Sequence, residues 1–388
     1  MKVDDLTLTK SLGKGAFGEV FLTKKDGSNC YYATKRLDRA HSEKPENQKR
    51  IVNEISLLMK INHPNIVRLT DLKKTKSHIY IVMEYCNGGD LSHCLKNYKL
   101  THHRPFSEEI VQYLMRQIVD GLSFLHSKKI IHRDLKLDNI LVTFNNKSDL
   151  QSLNMMKATI KIIDFGFATI LKPQNANLTF TVLGTPSNMD PQLLQNMETR
   201  TRNVQGYDEK ADIWSLGTLC YEMLTGHTPF SGKSMQELFQ NVRTGTYSLP
   251  KQLSNEVVDF IEKMLQKEPK SRWSAEKLRY HDFLVKNVKQ FHPVDVRNIP
   301  GLVGTGGGTI NITSNFNQPK QKYNLGQTVW DIFSSPEVMP PSQPQAPIVV
   351  QQPTAGYPYH QYTNVQYPQA GYQYTQPKIQ YNYNIYSK

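Results

Sequence analysis

The sequence predicts an α+β chain of two lobes, an antiparallel-sheet lobe with one helix and then a mainly helical lobe, followed by a disordered tail. Strand patterns rich in aromatic and β-branched residues dominate up to Tyr85. Helical spacing dominates after it, as in the stripe of Ile110, Leu114 and Ile118. Ser107 is the expected N-cap of that helix. The 388 residues are enough for each lobe to bury its own core.

A glycine-rich turn lies between the first two strand-like stretches, residues 6–12 and 20–24. Gly13, Gly15 and Gly18 have no side chain, so backbone amides there can approach phosphate oxygens closely. An ordinary hairpin turn produces the same pattern. A dinucleotide-binding fold would need a helix directly after the glycines, whereas a strand-like stretch follows. Alone, the turn is a weak indication of phosphate binding.

A lysine and a glutamate of the first lobe are expected to form an ion pair. Lys35 lies near the end of an aromatic and β-branched strand, residues 30–37. Glu54 lies in a segment whose apolar residues Ile51 and Ile55 have helical spacing, which puts its carboxylate beside the buried face. An unpaired carboxylate is unfavourable there, and Lys35 would satisfy it. Taken alone, Lys35 fits equally well as a solvated strand end.

Residues 132–141 place an acid, a cation and an amide in one short loop, as Asp134, Lys136 and Asn139. Phosphoryl transfer uses this set: a carboxylate to accept a hydroxyl proton, a cation beside the phosphoryl group, and an oxygen ligand for magnesium. Asp164 follows an apolar run, residues 160–163, where a carboxylate can coordinate Mg²⁺. An ordinary turn at a strand end is the alternative for Asp164 alone. The order of all these parts makes coincidence remote.

Together these parts resemble the eukaryotic protein kinases over about residues 6–284. The resemblance implies an N-lobe over about residues 6–85, a C-lobe over about 87–284, and ATP and Mg²⁺ as cofactors. It implies Asp134 as the catalytic base and Lys136 as the cation beside the phosphate. The implied metal ligands are Asn139 and Asp164. The implied nucleotide-binding positions, with Met83 as gatekeeper of the hinge, are Leu12, Gly13, Gly15, Gly18, Val20, Ala33, Lys35, Glu54, Met83, Glu84, Cys86 and Leu141.

Serine/threonine specificity and its regulation follow from the same resemblance. Lys136 lies two residues after the base, and Thr185 resembles the threonine that bonds the base and the lysine in serine/threonine kinases. Tyrosine or dual specificity is the alternative. Arg133 directly precedes the base and suggests control by phosphorylation, with Thr181 as the favoured site. The alternative is that the threonines are simply solvated loop residues.

One position departs from the family pattern. Kinases of this type end the activation segment with a glutamate that pairs with an arginine matching Arg272, whereas this chain has Gln192. Gln192 can accept one hydrogen bond from Arg272, but it lacks the charge that makes such a bond roughly twice as strong. We therefore expect a weakened brace in the C-lobe of an active enzyme.

The finer resemblance is to the ULK-type kinases that initiate autophagy. Residues 83–91, 164–168 and 207–212, and a polar insertion from about residue 143 to 159, carry it. Against it, no amphipathic helical pattern appears from residue 300 onward, where ULK-type kinases usually have a partner-binding helical domain. The alternatives are a kinase of another signalling branch, and a kinase-fold scaffold or condensate protein that acts through its tail.

The tail, residues 285–388, is rich in Pro, Gln and Tyr, so disorder is expected there. The expected partners are protein substrates of the kinase and, through the tail, autophagy or signalling proteins. The four cysteines of the chain, all of them before the tail, lack paired spacing. No apolar N-terminal signal or membrane span is evident, which favours the cytoplasm, with nuclear access open. The net charge of +13 comes from scattered basic residues, and this argues against direct nucleic-acid binding.

Overall fold

The computed structural model describes residues 1–15, 18–27, 30–170, 186–192, 194 and 208–286. The predicted tail beyond residue 286, together with Thr181 and Thr185, lies outside these residues. The described part has the predicted two-lobed α+β architecture. Among its helices, none is long and apolar enough to cross a bilayer.

The sheet of the N-lobe positions most of the predicted nucleotide-binding residues. Its strands are Lys2–Val3 (β1), Leu6–Gly15 (β2), Gly18–Lys25 (β3), Tyr31–Asp38 (β4), Leu69–Lys74 (β5) and His78–Glu84 (β6). They pair antiparallel in the order β1-β2-β3-β4-β6-β5. The register pairs Val20 with Lys35 and Ala33 with Met83. Paired residues of antiparallel strands share a face, as do residues two apart on one strand, so these four side chains lie on one face of the sheet.

One long helix, Pro45–Leu58 (α2), packs on this sheet through Ile51 and Ile55, which join a cluster with Leu37 and two isoleucines of β6. A one-turn helix, Arg39–Ser42 (α1), precedes it and was not expected. It forms because the carboxylate of Asp38 accepts a hydrogen bond from the backbone nitrogen of His41 at 2.9 Å.

Helices build the C-lobe. The described ones are Leu91–His102 (α3), Glu108–Ser127 (α4), Lys147–Gln151 (α5), Glu209–Thr225 (α6), Met235–Thr244 (α7), Asn255–Met264 (α8), Ala275–Leu278 (α9) and Asp282–Val285 (α10). The predicted cap of α4 is present, because the hydroxyl of Ser107 accepts a hydrogen bond from the nitrogen of Ile110 at 3.5 Å. Helix α6 is buried along most of its length and ends at Gly226, whose φ of 78° favours glycine.

Short strands of the C-lobe flank the segments that contain the predicted catalytic residues. They are Gly89–Asp90 (β7), Ile130–Ile131 (β8), Ile140–Thr143 (β9), Thr159–Ile162 (β10) and Thr169–Ile170 (β11). The polar insertion, which contains α5, joins β9 to β10. Ile140 pairs with Ile162, so the residue before β9 and the residues after β10 lie at the same end of the strand pair. This pairing brings the regions of Asn139 and Asp164 together.

Candidate active site

The glycine-rich hairpin is fixed to the neighbouring strand β4. Gly15 and Gly18 are paired across β2 and β3. A Cβ at Gly18, whose φ is 156°, would lie 2.1 Å from the backbone oxygen of Arg36, so a side chain does not fit there. Glu19 fastens the hairpin: it accepts a hydrogen bond from the hydroxyl of Ser11 at 2.8 Å, and its other oxygen lies 3.1 Å from Nη2 of Arg36. These contacts hold the hairpin beside the strand that carries the predicted phosphate-binding lysine.

The predicted ion pair between Lys35 and Glu54 is present. Lys35 Nζ lies 2.8 Å from Oε1 and 3.0 Å from Oε2 of Glu54. Burial alone would lower the pKa of the Lys35 ammonium, but the carboxylates of Glu54 and Asp164 outweigh it and hold that pKa above its ordinary value. Lys35 is therefore a fixed cation, and Asp164 lies close enough to act on it.

Other predicted nucleotide-binding positions come from both lobes. Leu12 on β2 is buried, while Leu141 on β9 is half-buried and pairs with Asp90. Cys86 at the hinge is buried, and this burial, followed by the nearby carboxylate of Glu84, raises the pKa of its thiol to about 12. The thiol is therefore protonated at neutral pH and unreactive. What Cys86 offers a ligand is its backbone.

An ion pair behind the hinge was missed by sequence reasoning. Lys161 Nζ lies 2.9 Å from Oε1 of Glu84, and both side chains are buried. The same oxygen of Glu84 accepts a hydrogen bond from the backbone nitrogen of Arg68 at 2.8 Å. A signal was available, because a lysine between two isoleucines of a buried strand needs a buried anion. The pair ties the hinge to β10, which leads directly to Asp164.

The catalytic loop holds its acid, cation and amide in one hydrogen-bonded group. Lys136 Nζ lies 2.9 Å from Oδ2 of Asp134. Asn139 Nδ2 donates to the backbone oxygen of Asp134 at 2.7 Å and to its Oδ2 at 2.9 Å. Asp134 and Asn139 are buried. Since the amide nitrogen of Asn139 bonds to Asp134, its amide oxygen is the atom left to bind a cation.

A buried carboxylate on α6 fixes the backbone of this loop. Asp212 accepts hydrogen bonds from the backbone nitrogens of His132 and Arg133, both at 2.8 Å. Arg133 has a φ of 71°, a backbone conformation that residues other than glycine rarely adopt, and these bonds hold it. Burial would raise the pKa of Asp212, but hydrogen bonds and charge from His126 and His132 lower it overall. The predicted regulatory site Thr181, which Arg133 would serve, lies outside the described residues.

Asp164 is placed by its own neighbours. The backbone nitrogen of Ile163 donates to the oxygen of Asn139 at 3.0 Å, and Nε2 of His132 lies 2.8 Å from the oxygen of Ile163. Phe165 is fully buried and packs edge-on against the ring of His132, 5.4 Å between centroids. Asp164 itself has a φ of 65°. The hydrogen bond from Ile163, the residue before Asp164, to Asn139 therefore holds the segments of the two predicted metal ligands together.

Gly166, the residue after Phe165, lies beside two carboxylates of the site. A Cβ there would lie 3.2 Å from Oδ1 of Asp164 and 3.7 Å from Oε2 of Glu54. The backbone N–H of Gly166 donates to Oδ1 of Asp164 at 3.3 Å, which helps to orient that carboxylate.

The expectation of a weakened brace at Arg272 is wrong. Its guanidinium forms a buried ion pair with the carboxylate of Asp190, two residues before Gln192. Gln192 instead donates its backbone N–H to Oδ1 of Asp190 at 2.7 Å. The charge that the family pattern places at position 192 is therefore present, but at position 190. Sequence reasoning missed it because it compared residues only position by position.

The sequence matches the protein kinase domain family over residues 6–284. The chain belongs to this family, and the predicted resemblance is confirmed. The hairpin, the Lys35–Glu54 pair and the Asp134 loop described above are the parts that a kinase site requires.

The relatives are kinases, and those of the PLK4 and ATG1 types are named as serine/threonine kinases. The chain is 32% identical over 336 residues to serine/threonine-protein kinase PLK4 of Danio rerio, covering 86% of this chain and 33% of that protein. It is 32% identical over 347 residues to serine/threonine-protein kinase ATG1c of Arabidopsis thaliana, covering 87% and 43%. It is 30% identical over 288 residues to Aurora kinase of Saccharomyces cerevisiae, covering 74% and 71%. The chain thus contains a serine/threonine protein kinase domain and spans less than half of PLK4 and ATG1c.

Proposed function

We propose that this chain transfers the γ-phosphoryl group of ATP to serine and threonine hydroxyls of proteins. The observation that carries the proposal is the hydrogen-bonded group of Asp134, Lys136 and Asn139, held by Asp212 and joined to the Asp164 segment. An acid, a cation and an oxygen ligand at one point are the requirements of phosphoryl transfer.

The residues fit ATP and Mg²⁺. Asn139 and Asp164 supply an amide oxygen and a carboxylate, which are the hard oxygen ligands that Mg²⁺ prefers. Lys35 is a fixed cation for phosphate oxygens, and the hairpin from Gly13 to Gly18 supplies backbone amides. When bound, Mg²⁺ neutralises charge on the β- and γ-phosphates.

The residues of the catalytic loop have separate tasks in this proposal. Asp134 orients the substrate hydroxyl and accepts its proton, while its second neighbour Lys136 neutralises charge on the transferred group. Asn139 fixes the Asp134 carboxylate by donating to it, which sets the direction from which the hydroxyl is received.

Phosphate transfer to a peptide array tests this activity. Purified full-length chain with ATP and Mg²⁺ should label peptides with serine or threonine acceptors and leave tyrosine acceptors unlabelled. Asp134→Asn, which keeps the size of the side chain, should reduce labelling by about 10²–10⁴-fold. Equal labelling by the wild-type chain and Asp134→Asn would place the activity elsewhere, and labelling of tyrosine alone would overturn the specificity.

We further propose a place in autophagy initiation. The similarity to three ATG1 kinases of Arabidopsis thaliana, at 32–34% identity, supports it. PLK4 and Aurora kinase, at 32% and 30%, support a kinase of another signalling branch instead. Expression in cells that lack their ATG1-type kinase discriminates between the two: restored autophagic degradation that is lost in Asp134→Asn supports autophagy. Failure to restore it, with kinase activity intact, favours another branch.

The proposed location is the cytoplasm, with protein substrates and with partners bound through the tail. The four cysteines form no disulfide, which is the state that a reducing compartment maintains. Fluorescence microscopy of the tagged full-length chain, alone and without residues 300–388, tests both the location and the contribution of the tail.

A further inference from the structure

Arg272 is the most completely enclosed cation of the described C-lobe. Its side chain is fully buried and its guanidinium lies 5.0 Å from the ring centroid of Trp214. It donates to three backbone oxygens, those of Gln266 at 2.7 Å, Lys210 at 2.9 Å and Lys267 at 3.0 Å. Three carbonyls satisfy hydrogen bonds but do not neutralise a buried charge, so a carboxylate is also required.

Asp190 supplies that carboxylate and is bound on both sides. Its Oδ2 pairs with Arg272, and its Oδ1 accepts the backbone N–H of Gln192 at 2.7 Å. Its backbone oxygen accepts the N–H of Leu194 at 3.1 Å. Asp190 thus shapes the turn around itself while tying that turn to the C-lobe.

A second contact anchors the same turn to helix α6. The hydroxyl of Ser215 donates to the backbone oxygen of Asn188 at 2.9 Å. Met189 and Leu194 are buried in the C-lobe core. The end of the activation segment is therefore held by one ion pair, one hydroxyl and two apolar side chains.

Helix α6 carries the support of the catalytic loop as well. Asp212, three residues before Ser215, binds the backbone nitrogens of His132 and Arg133. The catalytic base and the end of the activation segment are thus attached to the same turn of one helix. Both attachments therefore contribute to the relative position of the base and the segment.

We propose that Asp190 is a positioning residue for the protein substrate, holding the end of the activation segment in register with the Asp134 loop through its ion pair with Arg272. The inference rests on the proposed kinase activity and assigns to position 190 a task that the family pattern gives to position 192. ATP binds through residues of the hairpin, the hinge and the Lys35–Glu54 pair, so Asp190 affects the protein substrate and not the nucleotide.

Three variants of the full-length chain test this: Asp190→Asn, Asp190→Asn/Gln192→Glu, and the control Asp259→Asn. Asp190→Asn keeps the shape of the side chain and removes only its charge. Asp259 is a half-exposed acid that contacts Lys263 at 2.9 Å and Nε2 of His281 at 3.0 Å, so its loss removes the same charge and the same kind of contact from the same lobe, but not from the segment. Steady-state kinetics with a labelled peptide give KM for peptide and for ATP separately.

We expect Asp190→Asn to raise the peptide KM at least tenfold, with the ATP KM within twofold of the wild type. The double variant, which places a carboxylate two residues on as in the family pattern, should recover the peptide KM to within about threefold. Asp259→Asn should match the wild type. A folded Asp190→Asn with an unchanged peptide KM, equal rises in both KM values, or a double variant as impaired as the single one would each overturn the proposal.

Hydrogen–deuterium exchange tests the attachment without relying on activity. Backbone amides of residues 186–194 should exchange at least tenfold faster in Asp190→Asn, while those of helix α4 keep their rate. An unchanged rate in the segment would overturn the inference even in an active enzyme. If the wild-type chain labels no peptide, but the segment still exchanges faster in Asp190→Asn than in the wild type, the proposed activity is wrong and the role of Asp190 as an anchor stands.

Discussion

Lys35–Glu54 in the N-lobe and Arg272–Asp190 in the C-lobe are both buried ion pairs, but they leave their cations in different states. The Lys35 side chain keeps 18% of its surface exposed, whereas that of Arg272 keeps none. Within the described residues, the hydrogen bonds of Lys35 go to one carboxylate, while Arg272 also donates to three backbone oxygens. Lys35 therefore has donor capacity for a further anion, and Arg272 has almost none left.

This difference separates chemistry from architecture. A partly open ion pair positions a charge for a ligand, and the pair itself adds little to stability. A sealed pair with nearly every donor satisfied has no ligand to receive, so its effect is to fix the segments that it joins. A buried pair of one cation and one carboxylate can thus serve either purpose, and the degree to which the pair is enclosed decides whether it binds a ligand or fixes the fold.

The largest effect is expected from breaking the sealed pair. Arg272→Met leaves the buried carboxylate of Asp190 without a cation and three carbonyls without a donor. The free energy of unfolding should fall by about 3–5 kcal/mol, as for other buried pairs that lose one partner. Urea denaturation followed by circular dichroism measures it. Arg279→Met, which removes a half-exposed arginine paired with Asp120 at 2.8 Å, should change it by less than about 1 kcal/mol. Equal losses in the two variants would contradict the distinction.

Breaking the partly open pair should affect activity more than stability. Lys35→Met removes the fixed cation, and kcat/KM should fall by about 10²–10³-fold, as when an electrostatic donor to a transition state is removed. The loss of unfolding free energy should be clearly smaller than in Arg272→Met, because Lys35 is partly exposed and donates to no backbone oxygen in the described residues, whereas Arg272 is sealed and also holds three carbonyls. Lys25→Met, an exposed lysine of β3 paired with Asp5 at 3.2 Å, is the matched control for kinetics and denaturation. A Lys35→Met variant that unfolds as readily as Arg272→Met would erase the contrast.

Sequence reasoning reached the first pair and not the second. Lys35 lies near a strand end and Glu54 lies beside the apolar stripe of a helix, so residue type and spacing were sufficient to predict their ion pair. The two lobes followed from periodicity, and the Ser107 cap followed from residue type at the start of a helical stripe. Asp190 was invisible because a contact over 82 residues is set by tertiary packing, and its carboxylate occupies a position where the pattern expects none. The Glu84–Lys161 pair was missed for a different reason: the lysine was visible within an apolar strand, but nothing in the sequence named its partner.

That hinge pair tests an intermediate case, since it is sealed like Arg272–Asp190 but adjoins the nucleotide site. Lys161→Met leaves the Glu84 carboxylate with one backbone N–H, so we expect the unfolding free energy to fall by about 2–3 kcal/mol. Because Glu84 belongs to the hinge, the ATP KM should also rise, by about tenfold, which corresponds to about 1.4 kcal/mol of binding free energy. Denaturation and steady-state kinetics measure the two effects.

The double variant Lys161→Met/Glu84→Gln separates charge from shape at this site. Removing both charges should recover most of the lost stability, because no unpaired ion remains buried. A double variant less stable than Lys161→Met would show that Glu84 acts through its other bond, to Arg68, and the hinge pair would then resemble neither of the two pairs compared above.

The smallest effect is expected where a half-buried acid has no ion-pair partner in the described residues. Burial, followed by the charge of Asp138, raises the pKa of Glu222 on helix α6 to about 7, with Lys99 opposing. The folded state then binds this proton more tightly than the unfolded state, so stability falls as pH rises from about 4.5 to about 7 and is level above that. Glu222→Gln cannot lose a proton, so it should be more stable than the wild type at pH 8, by about 1.4 kcal/mol for each unit by which folding raises the pKa of Glu222, and closer to it at pH 5. Thermal unfolding at both pH values measures this, with Glu276→Gln, an exposed glutamate, as the control. A difference between wild type and Glu222→Gln that is the same at both pH values would show that the charge of Glu222 is compensated after all, as the charges of Glu54 and Asp190 are by their cations.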